Sequence, residues 1–65
     1  METIEKLLGT KEVAEILNLR RSKTHHMIAS GEIPSVIVSQ GAHRRVFRVR
    51  PSALMRWMKQ REVNQ

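Results

Sequence analysis

A chain of 65 residues has room for one domain with a thin core, burying roughly 60% of the surface its unfolded form exposes. It contains no cysteine, which excludes a disulfide framework and cysteine-based zinc sites and leaves packing as the source of stability. Twelve Lys and Arg against six Asp and Glu leave a net charge of +6, a balance that points to an anionic partner.

That charge is unevenly placed: residues 1–19 carry −2, residues 20–50 carry +6 and residues 51–65 carry +2. An acidic opening segment is poorly suited to lie against phosphate, so the basic face is expected between Arg20 and Arg50. The sequence shows neither an apolar opening run of about seven to fifteen residues nor an apolar stretch of about eighteen, so a cytoplasmic location is expected.

The first apolar spacing, Ile4, Leu7 and Leu8, fits one helical turn or a packed arm, and Gly9 interrupts it. Thr10 then reads as an N-cap, with a helix through Lys11, Glu12, Val13, Ala14, Glu15, Ile16 and Leu17 whose inward face is Val13, Ile16 and Leu17. Asn18 enters the left-handed region readily, so a sharp turn through Asn18 and Leu19 is predicted. A second helix follows from Arg20 or Arg21 to Ser30, stopped by Gly31. Its inward stripe is Thr24, Met27 and Ile28. Arg20, Arg21, Ser22, Lys23 and His26 point outward, with His25 at the boundary between the faces.

Beyond Gly31 the pattern becomes extended: Pro34 blocks a helix and Val36, Ile37 and Val38 form a β-branched run. A turn is expected over Ser39-Gln40-Gly41-Ala42-His43. A return strand follows over Arg44–Val49, with Phe47 and Val49 on one face and Val46 and Arg48 on the other. Pro51 opens a last helix to about Arg61, with Leu54, Trp57 and Met58 on one face. Glu62–Gln65 is expected to fray. No internal repeat or low-complexity tract interrupts these elements.

Residues 10–29 fit a helix-turn-helix, with Ala14 where the helices cross, Asn18 at the turn, and Val13, Leu17, Leu19, Thr24 and Met27 as locks. Thr24 is the weakest fit, since an aliphatic residue is usual there. The competing reading is an ordinary helical hairpin with a charged solvent face; the basic second helix and the hairpin that follows count against it.

The run LLGTKEVAEILNLRRSKTHHMIASGEIPSVIV, followed by RRVFRVRPSALMRWM, resembles the excisionase and MerR-type family of DNA-binding domains over about residues 7–58. Lys11–Leu17, Ile28–Pro34 and Arg44–Arg50 leading into Leu54 and Trp57 carry the likeness. The resemblance implies a mainly α fold with a small β-hairpin, a winged helix-turn-helix over residues 1–65 with its core at about 7–61. It further implies that the second helix enters the major groove through Arg20, Arg21, Ser22, Lys23 and His26. The hairpin, or wing, is then expected to reach neighbouring backbone or minor groove through Arg44, Arg45 and Arg48. Arg20 and Arg21 depart from the family pattern, in which small polar caps are common, and Ala42-His43 stands where a second glycine is familiar.

Elementary chemistry supports those roles independently. A helix start adds its positive dipole end to Arg and Lys side chains aimed at phosphate and guanine edges, and arginines on a hairpin suit a narrow minor groove of enhanced negative potential. The competing reading of any one of these arginines is a solvated surface charge. Neighbouring helical histidines point to different sides, so His25, His26 and His43 do not read as a metal site. Trp57 and Phe47 sit at apolar-periodic positions and read as core, not as base-stacking platforms. No spacing suggests a triad, a phosphate loop or paired acids, and the chain reads as a non-enzyme needing no cofactor.

Three functions compete. The first is an excisionase, a recombination directionality factor of a phage or mobile element, which bends attachment-site DNA and helps a site-specific integrase to excise. A chain holding a DNA-binding unit and little else fits it better than it fits a full regulator, which adds a dimerisation or effector domain. The second is a small MerR-like transcriptional regulator at a promoter. The third, a protein-interaction or membrane-surface module, is disfavoured by the polar turns and by the lack of a basic amphipathic helix with a free apolar face. The partners expected are double-stranded DNA, an integrase and, as in relatives, further copies in a head-to-tail row, with no membrane.

Overall fold

A computed structural model describes residues 4–41 and 44–63. Its elements in chain order are α1 (Thr10–Leu17), α2 (Arg21–Ala29), β1 (Val36–Gln40), β2 (Arg45–Arg48) and α3 (Pro51–Gln60).

The expected N-cap shifts by one residue. Gly9 occupies that position and Thr10 is already helical. The Gly9 N–H donates to the Glu12 carboxylate at 3.0 Å, and the Gly9 carbonyl accepts from Val13 N–H at 3.0 Å. A carboxylate reaching back from the third helical position thus satisfies the N–H of the cap residue itself. At the other end Asn18 adopts the left-handed region, φ 58° and ψ 44°, and Leu19 N–H reaches back to the Ala14 carbonyl at 2.9 Å, closing the turn that leads into α2.

Ala14, 6% exposed, is buried where α1 packs on α2. This placement rotates the buried arc of α1 to lie between Val13 and Ala14. At about 3.6 residues per turn, Ile16 then falls outside that arc and is 50% exposed, against the expectation that it faces inward. Leu19 also differs from its expected role as a lock: its side chain is exposed, and its backbone N–H makes the turn contact.

Thr24 is fully buried. Its hydroxyl donates to the Arg20 carbonyl at 2.9 Å, and its N–H donates to the same oxygen at 3.0 Å. The buried hydroxyl is thus satisfied within its own helix, and the methyl group packs as an aliphatic residue's would. Gly31 closes α2 at φ 88°, a conformation that favours glycine, while Ile33 N–H bonds the Met27 carbonyl at 3.2 Å and turns the buried Ile33 into the core.

β1 and β2 pair antiparallel, Ile37 opposite Phe47 and Ser39 opposite Val46, so Val38 is an extra residue in a bulge. Ser39 and Gln40 belong to β1 and not to the expected turn; Ala42 and His43 lie outside the described residues. The lead-in is a packed extended arm: Leu8 and Val49 exchange both backbone hydrogen bonds at 2.8 Å, while Ile4 projects outward.

The core cluster is Val13, Ile28, Ile33, Val49 and Leu54, with Leu8, Leu17, Met27, Phe47, Trp57 and Met58 packed around it. Trp57 is half-buried at this margin. Its indole N–H donates to the Glu32 carbonyl at 2.9 Å, and the Arg61 guanidinium lies 4.5 Å from its ring centroid.

Pro51 begins α3, and the arm supplies its cap. Ser52 N–H and hydroxyl donate to the two Glu5 carboxylate oxygens at 2.8 and 2.7 Å. Those Ser52 hydrogen bonds, side chain first and then backbone, hold the Glu5 carboxyl below the ordinary carboxylate range, with Arg50 and Arg56 acting in the same direction.

Two predictions follow from these caps. Thr24→Val, which keeps the volume and leaves the Arg20 carbonyl bonded to an N–H, should change stability by less than about 1 kcal/mol, whereas Thr24→Ser, which removes the buried methyl, should cost about 1 kcal/mol; urea denaturation checks the order. Because the folded-state pKa of Glu5 is lowered, its contribution is present at neutral pH and lost as pH falls through that pKa. Glu5→Gln should therefore melt below wild type at about pH 7, with the gap closing as the pH falls through the lowered pKa. A gap independent of pH contradicts the cap.

Candidate nucleic-acid interface

Burial of Thr24 and Ile28 fixes which way α2 faces. By helical periodicity Ser22 and His26 stand most nearly opposite the core, Lys23 lies on one flank, and Arg21 and His25 lie on the other. All five are exposed, as is Arg20.

Their electrostatic setting is unusual for a helix start. The first turn of α2 holds no acidic residue, and Arg20 at the N-cap makes no side-chain capping bond. Arg20, Arg21 and Lys23 therefore crowd the positive end of the helix dipole, where each cation is unfavourable by about 0.3–1 kcal/mol at an exposed site. The same arrangement, with open first-turn N–H groups, attracts anions. In contrast, the first turn of α3 is already engaged by the Glu5 carboxylate.

The wing arginines divide by depth. Arg44 and Arg45 are exposed, whereas Arg48 is half-buried. Arg48 turns inward, one guanidinium N–H donating to the Phe47 carbonyl at 2.7 Å. It also approaches the start of α1: a Cβ placed on Gly9 would stand 3.9 Å from Arg48 Nε and 2.9 Å from Glu12 Oε1. Thr10, His25, Arg44 and β2 residues 45–48 line one cleft of about 150 Å3.

The His25 flank of α2 and the wing arginines thus border a common surface. Sequence periodicity placed His25 at a boundary and left it out; the fold turns that boundary towards β2. Thr10 was also missed, because its proximity to the wing is set by the Leu8–Val49 pairing, which no local pattern announces. Among the described residues, no group of three or more His, Asp or Glu is placed to hold a metal ion, and no helix is long and apolar enough to cross a membrane.

A family model described as a helix-turn-helix domain matches residues 7–62. The chain belongs to that family. With β1 and β2 following α2, its fold is a winged helix-turn-helix, and it is a DNA-binding protein of that class. No curated protein and no solved structure matches it.

The depth of the arginines predicts a split in stability. Arg44→Ala and Arg45→Ala should leave the unfolding free energy within about 0.5 kcal/mol of wild type, while Arg48→Ala should cost about 1 kcal/mol through its lost hydrogen bond and packing. Equal losses at all three, by urea titration, would contradict the depth assignment.

Proposed function

We propose that this helix-turn-helix protein binds double-stranded DNA with α2 in the major groove and the β1–β2 hairpin against the neighbouring backbone or minor groove. The observation that carries this reading is the cluster Arg20, Arg21 and Lys23 at the end of α2 where cations cost stability. A placement that opposes folding and favours phosphate is a binding device. Ser22 and His26 complete the base-facing surface, and Arg44, Arg45 and Arg48 serve the wing. Arginine can grip phosphate or guanine with two parallel bonds, and lysine adds a point charge.

Within this class the role is that of an excisionase: it bends attachment-site DNA of a phage or mobile element, lies in a row with further copies, and assists a site-specific integrase. The supporting residues are those that resemble excisionases, Lys11–Leu17, Ile28–Pro34 and Arg44–Arg50. The same surfaces serve the alternative, a small MerR-like regulator at a promoter. An excision assay with the integrase of the same element separates them: stimulated excision together with a bend supports the first, and promoter occupancy with no effect on recombination supports the second.

DNA binding itself is tested with salt and substitutions. For about four to six neutralised phosphates, log affinity should fall against log salt with a slope near −4 to −5. Arg21→Ala should weaken binding by about 1–3 kcal/mol and relax preference at particular base pairs, while its melting temperature stays level or rises. Arg45→Ala should weaken all sequences evenly. A flat salt response, or an Arg21→Ala protein that loses stability and keeps full affinity, would overturn the reading.

A further inference from the structure

The cleft between α2 and the wing combines features that no single element has. Its walls come from three places: Thr10 at the start of α1, His25 on the flank of α2, and the wing stretch of Arg44 and β2 that carries Arg45 and Arg48. None of the lining residues is acidic. The Glu12 carboxylate, beside Gly9, is engaged by the Gly9 N–H. The first-turn N–H groups of α1 at Thr10 and Lys11 have no intrahelical acceptor, as at any helix start, and the Arg48 guanidinium lies beside that turn.

We propose that this cleft seats one backbone phosphate of the DNA duplex, held by His25 and Arg48 with the start of α1 behind it. The inference rests on the DNA-binding reading above and deepens it by giving His25 a task distinct from that of its neighbour His26. His26 stands on the face of α2 turned away from the core; His25 faces the wing. A phosphate lodged there lies between the segment read by the helix and the segment reached by the hairpin. It therefore fixes the angle between them. His25 is a positioning residue, because a phosphate contact sets register on the duplex and carries no base information.

The shape of the cleft suits a single oxyanion. At about 150 Å3 it is well below the roughly 300 Å3 at which sites for drug-sized ligands begin. A planar guanidinium offers paired donors to two phosphate oxygens, and an imidazole N–H supplies a third direction. Arg48 is braced by its bond to the Phe47 carbonyl, so less freedom is lost when the anion arrives.

The test uses the full chain and two probes. Isotope-labelled protein is titrated with inorganic phosphate, at ionic strength held constant with chloride, and separately with duplexes of several unrelated sequences. The seat predicts saturable shifts at the His25 ring, the Thr10 amide and the Arg48 side chain with both probes. It also predicts that His25→Ala, an exposed position whose loss leaves the fold intact, weakens every duplex by the same factor of about ten- to a hundredfold, as loss of one charge-assisted hydrogen bond requires. Arg48→Lys should weaken binding in the same even manner while keeping the charge.

If wild type binds duplex but His25→Ala binds equally well, the seat is refuted and the DNA reading stands. A His25→Ala loss confined to particular sequences makes His25 a base reader and refutes the seat. Phosphate shifts at the cleft without binding to any duplex would assign it to free phosphate and overturn both readings.

Discussion

Val13 from α1, Ile28 from α2, Ile33 from the connector, Val49 from the end of the hairpin and Leu54 from α3 meet in one cluster. Each of the five is buried almost completely. In so thin a core the geometry of every surface residue is referred to that meeting point. α2 is oriented because Ile28 and Thr24 must enter it. The hairpin is held beside α2 because Val49 enters it and exchanges backbone hydrogen bonds with Leu8. The arrangement of the cationic side chains follows from those two attachments, and removing any one of the five would loosen the interface with the fold.

The three helix starts show how stability and binding are divided. α1 is closed by its own Glu12 and α3 by Glu5 from the arm, in each case a carboxylate placed where the helix dipole favours it. α2 has no such partner and carries basic residues in its place. Its stability must come from the rest of the fold, through the Thr24 hydroxyl, the Gly31 stop and the packing of Ile28 and Met27. The element proposed to face DNA is the one least able to form alone, and its conformation is imposed by its neighbours.

Much of this was legible in the sequence because it depends on local chemistry. Asn18 and Gly31 mark the two positive-φ positions among the described residues, Pro51 marks the start of α3, and the change from helical to extended spacing after Gly31 marks the hairpin. The winged helix-turn-helix class followed from their order together with the family resemblance. What was not legible depended on partners distant in the chain. Glu5 looks like a surface charge until Ser52 is found against it, and the arm looks as much like a helical turn as a strand until Val49 pairs with Leu8. Ile16 shares the period of Val13 but loses its place because α2 approaches over Ala14. Arg48 reads as one of three equivalent wing arginines, although its bond to the Phe47 carbonyl and its place beside Gly9 separate it from Arg44 and Arg45. His25 was ambiguous for the same reason: periodicity places it at the edge of a face, and only the hairpin decides what that edge borders.

The central claim is that one continuous surface, made by α2 and the wing together, meets DNA. Its most direct test is to map backbone amide shifts of the labelled protein as duplex DNA is added. The account predicts the largest changes over Arg20–His26 and Arg44–Arg48, rising together along a single binding curve, with Ala53, Arg56 and Gln60 on α3 little affected. Changes concentrated on α3, or α2 and wing shifts that saturate at different DNA concentrations, would contradict it.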